Sequence, residues 1–217
     1  LKIDHSGTPL FAILDYGMAN LRSVQKAFAL LGHDAQIINS PEAIDRADQL
    51  VVPGVGAFKD AIAVLNERGL ADAIRAYVKA GKPLLGICLG LQLLFDVGYE
   101  DGEHRGMGIV AGDCVRLTVD QPSSNGADPL KVPHIGWNSL QSKPNARLFA
   151  GLPADSYAYF VHSYHVRPKD ANVIACTVDY GGPIVAAIEH DNVLATQFHP
   201  EKSQRVGQKI LDNFAAI

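Results

Sequence analysis

The stretch Leu84-Leu85-Gly86-Ile87-Cys88-Leu89-Gly90-Leu91-Gln92 constrains this chain more than any other. An apolar run of strand character enters a cysteine, and a helical pattern leaves it. Gly86 and Gly90 stand two positions before and two after Cys88. A sharp strand-to-helix turn brings backbones together at those offsets, where only a missing side chain leaves room. Such a turn lifts Cys88 above a sheet edge, at a helix N-terminus whose partial positive charge favours thiolate over thiol. The free N–H of Leu89 is then the natural donor to an oxyanion. The competing reading is a buried, inert cysteine. Cys114 and Cys176 fit that reading, because they lie inside β patterns without flanking glycines.

A strand that ends in such an elbow needs a sheet around it, and the pattern supplies one. Strands are expected at Leu10–Asp15, Ala35–Ile38, Gln49–Val52 and Pro83–Cys88. Helices are expected at Asn20–Leu31, with Leu21, Val24, Phe28 and Leu31 on one face, at Ala57–Lys79 with a break at Gly69, and at Leu89–Val97. From Gly108 onward short β pieces follow one another: Cys114–Val119, Ser156–Val161, Val173–Val178, Ile184–Glu189 and Val193–Gln197, before a closing helix at Gly207–Phe214. The expected fold is α/β: a mostly parallel central sheet flanked by helices, flavodoxin-like, with an antiparallel β extension in the C-terminal half. Residues 1–9 read as an N-terminal extension, residues 10–217 as a single domain, and Gln121–Pro129 as a polar surface loop.

A thiol nucleophile needs a base and a proton donor for the leaving group, which suits histidine. Of eight His, the telling one lies in Gln197-Phe198-His199-Pro200-Glu201, after an apolar strand. Pro200 biases His199 towards extended backbone. In that conformation a His-x-Glu spacing lets Glu201 reach the imidazole and hold its tautomer. Alone, the same tripeptide reads more readily as a strand-end His beside a surface Glu; the elbow at Cys88 is what turns it towards catalysis. Pro53-Gly54-Val55-Gly56 closes the third strand and opens on the same sheet edge. It can offer a second oxyanion donor, the N–H of Val55, with two glycines that permit the peptide to flip. His134, His162, His165 and His190 raise the question of a metal, but no ligand spacing supports one, and neither a metal nor a cofactor is expected.

With 47% apolar and 19% charged residues, the 217-residue chain has the composition of a globular protein. A net charge of −4 with no Lys/Arg run gives no nucleic-acid footprint. No apolar stretch reaches the roughly 18 residues of a membrane span. Three cysteines do not make a disulfide framework, so a reducing, cytoplasmic setting is expected.

Three separated segments, PGVG at 53–56, GICLGLQ at 86–92 and QFHPE at 197–201, closely resemble the class I (triad) glutamine amidotransferases. LDYGMANLRSV at 14–24, VPHIGWN at 132–138, FVHSYHV at 160–166 and HPEKS at 199–203 resemble the glutaminase subunits of imidazole glycerol phosphate synthase. Ala19 stands where many members carry Gly. The resemblance implies a Cys88, His199 and Glu201 triad that hydrolyses glutamine. It implies glutamine held by Gln92, Ser163, Tyr164 and the backbone of Gly54 and Gly56. It further implies a heterodimer with a (β/α)8-barrel cyclase subunit, which Trp137 and Lys202 would face. On packing grounds alone, a lone Trp reads as partly buried core. Rival readings are a glutaminase of another amidotransferase, a cysteine hydrolase on a different amide, and a non-catalytic binding module.

Overall fold

The computed structural model describes residues 10–119 and 130–217; the 1–9 extension and the 121–129 loop lie outside the described residues. The first half alternates strand and helix: β1 (Phe11–Leu14), α1 (Leu21–Leu30), β2 (Ala35–Ile38), α2 (Pro41–Arg46), β3 (Gln49–Gly54), α3 (Phe58–Glu67), α4 (Leu70–Lys79), β4 (Leu84–Cys88) and α5 (Leu89–Gln92). The second half is mainly β: β5 (Phe95–Gly98), β6 (His104–Arg105), β7 (Val110–Arg116), β8 (His134–Ser139), β9 (Gln141–Ser142), β10 (Tyr157–His162), β11 (Tyr164–Pro168), β12 (Ile174–Asp179), β13 (Pro183–His190) and β14 (Val193–Thr196), closed by α6 (Gln204–Ala215).

One eight-stranded sheet runs in the order β2-β1-β3-β4-β14-β13-β12-β9. Its first five strands are parallel and the remainder antiparallel. This is the flavodoxin-like order with an antiparallel extension, as expected. Strands β1, β4 and β14 are buried along their whole length, which requires cover on both faces. The period of two divides them: Ala12 and Leu14 join a layer with Phe58, Leu65 and Ile74 of α3 and α4, while Phe11 and Ile13 join Phe28, Leu211 and Phe214 of α1 and α6. Two small sheets extend these layers. β11-β7-β5-β6 continues the α3/α4 side through Phe95, Val110 and Val166, and the β8–β10 ribbon continues the α6 side through Ala158 and Phe160. Among the described residues no helix is long and apolar enough to cross a membrane.

The expected helix at Leu89–Val97 is corrected. It makes one turn, and Phe95–Gly98 is a strand paired with β6 and β7. The carbonyls of Leu93 and Leu94, which a longer helix would use internally, accept from Met107, Ile109 and Val110 instead. Tertiary pairing overrides a helix-compatible pattern here. Helix α2 and strands β6, β8, β9 and β11 had no counterpart in the expected set. Helix α2 is too short to show a period, although Ser40 caps it through a bond from the Ala43 N–H and Pro41 opens it. Strand β8 lies in a segment whose alternation Gly136 interrupts.

The elbow glycines act as expected. A Cβ on Gly90 would overlap the carbonyl oxygen of Val52 in β3, and one on Gly86 would lie 3.0 Å from the Gly90 carbonyl carbon and oxygen. The turn after β4 is thus wedged against the neighbouring strand. Gly90→Ala should lower the thermal midpoint by at least about 5 °C, the scale of roughly 2 kcal/mol of overpacking in a chain of this size. Melting followed by circular dichroism beside the wild type checks this, and an unchanged midpoint would mean that the elbow opens freely.

Candidate active site

Strands β3, β4 and β14 are parallel neighbours, with Gly54 opposite Cys88 and Thr196 opposite Ile87. Their carboxyl ends therefore deliver three segments to one edge: Gly54-Val55-Gly56, Cys88-Leu89, and Gln197 to Glu201. Cys88 has φ 56° and ψ −108°, a conformation uncommon for a residue with a side chain and characteristic of a strained elbow. Leu89 opens α5, so its N–H has no acceptor within the helix.

His199 and Glu201 meet as expected from their spacing, but by another route. His199 is extended, whereas Pro200–Lys202 is a 3-10 turn, so the reach is made across a turn and not along a strand. His199 Nδ1 lies 2.7 Å from Glu201 Oε1, and the two side chains are only 3% and 2% exposed. The turn is held from below: Ser203 Oγ donates to the His199 carbonyl at 2.7 Å, and a Cβ on Gly207 of α6 would overlap the Pro200 carbonyl. Burial is the largest influence on the imidazole and acts to lower its pKa. The nearness of Cys88 and the hydrogen bond to Glu201, with the negative charge of each, outweigh it and push His199 up to about 9. The second ring nitrogen, Nε2, is buried, and Cys88 acts on it by proximity without an aligned hydrogen bond. Thiol and imidazole are poised side by side, a geometry usual before substrate binds.

A cleft of about 440 Å³ opens over these groups and is lined by Val55, Gly56, Cys88, Leu89, Gln92, Ser163, Tyr164, His199 and Lys202. Nine of the expected residues thus share one cavity of a size suited to a small ligand. Gly54 is buried behind it, and Glu201 is behind His199. A larger hollow of about 840 Å³ lies at the opposite edge, beside Phe11, Gln49 and Pro83. No cysteine faces it, so chemistry and not size identifies the site.

Two expectations need correction. The Val55 N–H does not face Cys88; it donates to the Met18 carbonyl at 2.8 Å and so is no oxyanion donor in this conformation. Trp137 is not core, being 47% exposed on β8. Its neighbours on the same face of the ribbon include Ile135, 60% exposed, and Tyr159, whose ring packs edge-on to the indole at 6.0 Å.

Sequence reasoning also missed residues. Glu100 lines the cleft, and its Oε2 accepts the Phe58 N–H at 2.6 Å. Gln197 is fully buried and donates through Nε2 to Cys88 Sγ at 3.7 Å. The QFHPE segment contains it, but a Gln there has no spacing of its own that marks a role, unlike the His-x-Glu pair. His134 and His162 are the other surprise. His162 Nδ1 donates to the Tyr164 carbonyl at 2.9 Å, so its Nε2 accepts from His134 Nδ1 at 3.1 Å, and His134 Nε2 faces the Asn138 amide at 3.4 Å. Burial holds both neutral, pushing His134 down to about 4 and His162 to about 3. Their ring nitrogens are engaged with each other and with the amide and carbonyl at either end of the chain, while His190 sits at the far edge of the sheet, where β13 ends opposite Val193.

The class I glutamine amidotransferase family model matches residues 12–217. "Imidazole glycerol phosphate synthase subunit HisH" of Syntrophotalea carbinolica is 50% identical over 94% of this chain and 98% of that protein. The protein of the same name from Aquifex aeolicus is 49% identical over 93% and 94%. Among solved structures, PurLQS from Thermotoga maritima superposes with a TM-score of 0.71 at 19% identity, covering 96% of this chain and 98% of that one. A glutamine amidotransferase crystal structure gives 0.70 at 19% identity, covering 94% and 98%; at these identities the likeness speaks for the fold alone. The chain belongs to the class I glutamine amidotransferases, in the group whose curated members are HisH subunits of imidazole glycerol phosphate synthase.

Proposed function

We propose that this chain hydrolyses glutamine to glutamate and ammonia through a Cys88 thioester. It does so as the glutaminase subunit of an imidazole glycerol phosphate synthase, which uses the ammonia in histidine biosynthesis. The observation that carries the reading is the meeting of Cys88 with the buried His199–Glu201 pair at a cleft of ligand size.

The Cys88 thiolate attacks the side-chain carboxamide carbon, and the carbonyl electrons move to oxygen. The Leu89 N–H stabilises that oxyanion. His199, protonated at neutral pH, gives its Nε2 proton to the departing nitrogen, and ammonia leaves with the thioester formed. The neutral imidazole then takes a proton from water, hydroxide adds to the thioester, and collapse releases glutamate and returns the thiolate. Glu201 holds the ring and stabilises its charged form. In the cleft, Glu100 suits the α-ammonium of glutamine, since one carboxylate oxygen remains beyond its bond to Phe58. Gln92 donates to the Tyr164 carbonyl and to Gln197 Oε1, which leaves its own Oε1 to accept from the substrate.

The second oxyanion donor is withheld by the bond from Val55 N–H to the Met18 carbonyl. Rotation of the Gly54–Val55 peptide breaks that bond and turns the N–H towards Cys88. A missing oxyanion donor costs roughly 10²–10³ in turnover, so the isolated chain is slow. A (β/α)8-barrel cyclase subunit is the partner that captures the ammonia. The exposed Ile135, Trp137 and Tyr157 offer it an apolar surface, and Lys202 lies at the cleft.

Four measurements test this reading. Glutamate release by the chain should rise at least about 100-fold with a matching cyclase subunit and its nucleotide ligand, and Cys88→Ala should abolish it. Strong activity alone, with no response to that partner, would move the chain to another synthase or to a free-standing amidase. Trp137→Ala should weaken association with the cyclase by about 10-fold or more, read by titration calorimetry, and leave basal hydrolysis unchanged. An NMR titration should place His199 near pH 9 in the wild type and lower in Glu201→Gln, because the hydrogen bond and charge that raise it are gone. The linkage has a matching sign. A histidine raised from 6.5 to about 9 adds stability that is fully present below pH 6.5 and lost as pH rises through 9. Glu201→Gln should therefore flatten the fall in stability across that window.

A further inference from the structure

We infer that Gln197 holds Cys88 in its reactive form: its side-chain amide donates to the sulfur, and that amide is aimed by Gln92 and the Tyr164 carbonyl. The inference rests on the Cys88 chemistry proposed above and adds to it the group that stabilises the nucleophile before substrate arrives.

A nucleophilic thiolate at the end of a strand usually leans on the helix that follows. Here α5 has a single turn, with few aligned peptides behind the sulfur. His199 Nε2 stands beside the thiol without an aligned bond. Among the described residues, the one hydrogen bond drawn to Sγ comes from Gln197 Nε2 at 3.7 Å. Gln197 is 0% exposed, so no water competes for its amide.

The direction of that amide follows from a backbone atom. The Tyr164 carbonyl can only accept, so the Gln92 group 3.1 Å away must be its NH2. The same Gln92 nitrogen lies 3.2 Å from the Gln197 side chain, which must therefore present its oxygen there. The Gln197 nitrogen is left facing Cys88. The Tyr164 carbonyl is itself fixed by the bond from His162 Nδ1 at 2.9 Å. A buried glutamine serving only to fill space would need neither partner, since an apolar side chain of the same length would pack without them.

The other titratable groups around the sulfur come from every neighbouring element. They are His199 with Glu201 behind it, Tyr16 after β1, Cys114 of β7, and Glu100, His162, Tyr164 and Lys202 at the cleft. Burial pushes the Tyr16 hydroxyl and the Cys114 thiol upward, so both stay neutral. Gln197 and His199 favour the thiolate at contact distance, with the Lys202 cation and the Leu89 N–H lining the same cleft.

The test is the pH dependence of Cys88 alkylation by iodoacetamide in the full chain, read by mass spectrometry of the Cys88 peptide. Cys88 lines the open cleft, whereas Cys114 and Cys176 are each 1% exposed and do not line it, and reading the Cys88 peptide separates the three. In Gln197→Met, similar in length but without the amide, the inflection should rise by about one pH unit, the scale of a hydrogen bond to a charged group. Glutaminase kcat at neutral pH should fall about 10-fold with KM little changed. Gln197→Glu keeps the acceptor for Gln92 and removes the donor, and its inflection should also rise. An unchanged inflection in either variant that melts like the wild type overturns the inference. Alkylation needs no glutamine turnover. A wild type that fails to hydrolyse glutamine would refute the proposed activity, while the inflection would still decide the role of Gln197.

Discussion

The backbone of Gly90 lies against the carbonyl of Val52, and the arrangement of the site depends on that contact. It lets the chain turn from β4 into α5 without a loop, so Cys88 stands at the edge of the sheet with its backbone in a strained conformation. Parallel pairing then does the remaining placement. Because β3, β4 and β14 run in one direction and in fixed register, their carboxyl ends bring Gly54, Cys88 and the Gln197–Glu201 turn together. Residues 111 positions apart in sequence become neighbours through strand order alone.

Within that frame the electrostatics are local. A four-residue helix contributes little macrodipole, and the charge balance of the site comes from short hydrogen bonds among buried groups. A buried carboxylate and imidazole 2.7 Å apart would be costly if either partner were removed. The pair is fixed by its turn, which Ser203 and α6 support. A second run of polar groups, from Asn138 through His134 and His162 to the Tyr164 carbonyl, has every tautomer set by its neighbour. It shapes the wall of the cleft without taking up a proton near neutral pH.

How much of this was legible in the sequence varied with the kind of signal. The parallel core was readable because its strands are uniformly apolar and alternate with amphipathic helices. The meeting of Cys88, His199 and Glu201 was readable because glycines at fixed offsets and a His-x-Glu pair have direct steric and electrostatic consequences. The end of α5 was not, because Leu93-Leu94-Phe95-Asp96-Val97 suits helix or strand, and the 107–110 segment, more than ten residues away, decides between them. Gln197 and Glu100 were missed because an isolated Gln or Glu has no periodicity. Their roles exist only once the sheet places them beside the cleft.

Strand β8 shows why the remainder resisted reading and what it contributes. Its residues alternate between two jobs: His134 stacks between Phe160 and Tyr180 at 4.8 and 3.9 Å, while Ile135 and Trp137 on the other face are exposed. An apolar residue pointing outwards reads as a contradiction in a single chain, and as a requirement once a second chain covers it. The same short ribbon therefore has one face in the rigid polar wall of the cleft and the other turned outwards. A partner seated on the outer face would press on a strand whose inner face is locked by hydrogen bonds. It has no need to deform that wall. On the proposed reading, the segment that responds is the Gly54–Val55 peptide at the rim of the same cleft, whose N–H is bonded to the Met18 carbonyl.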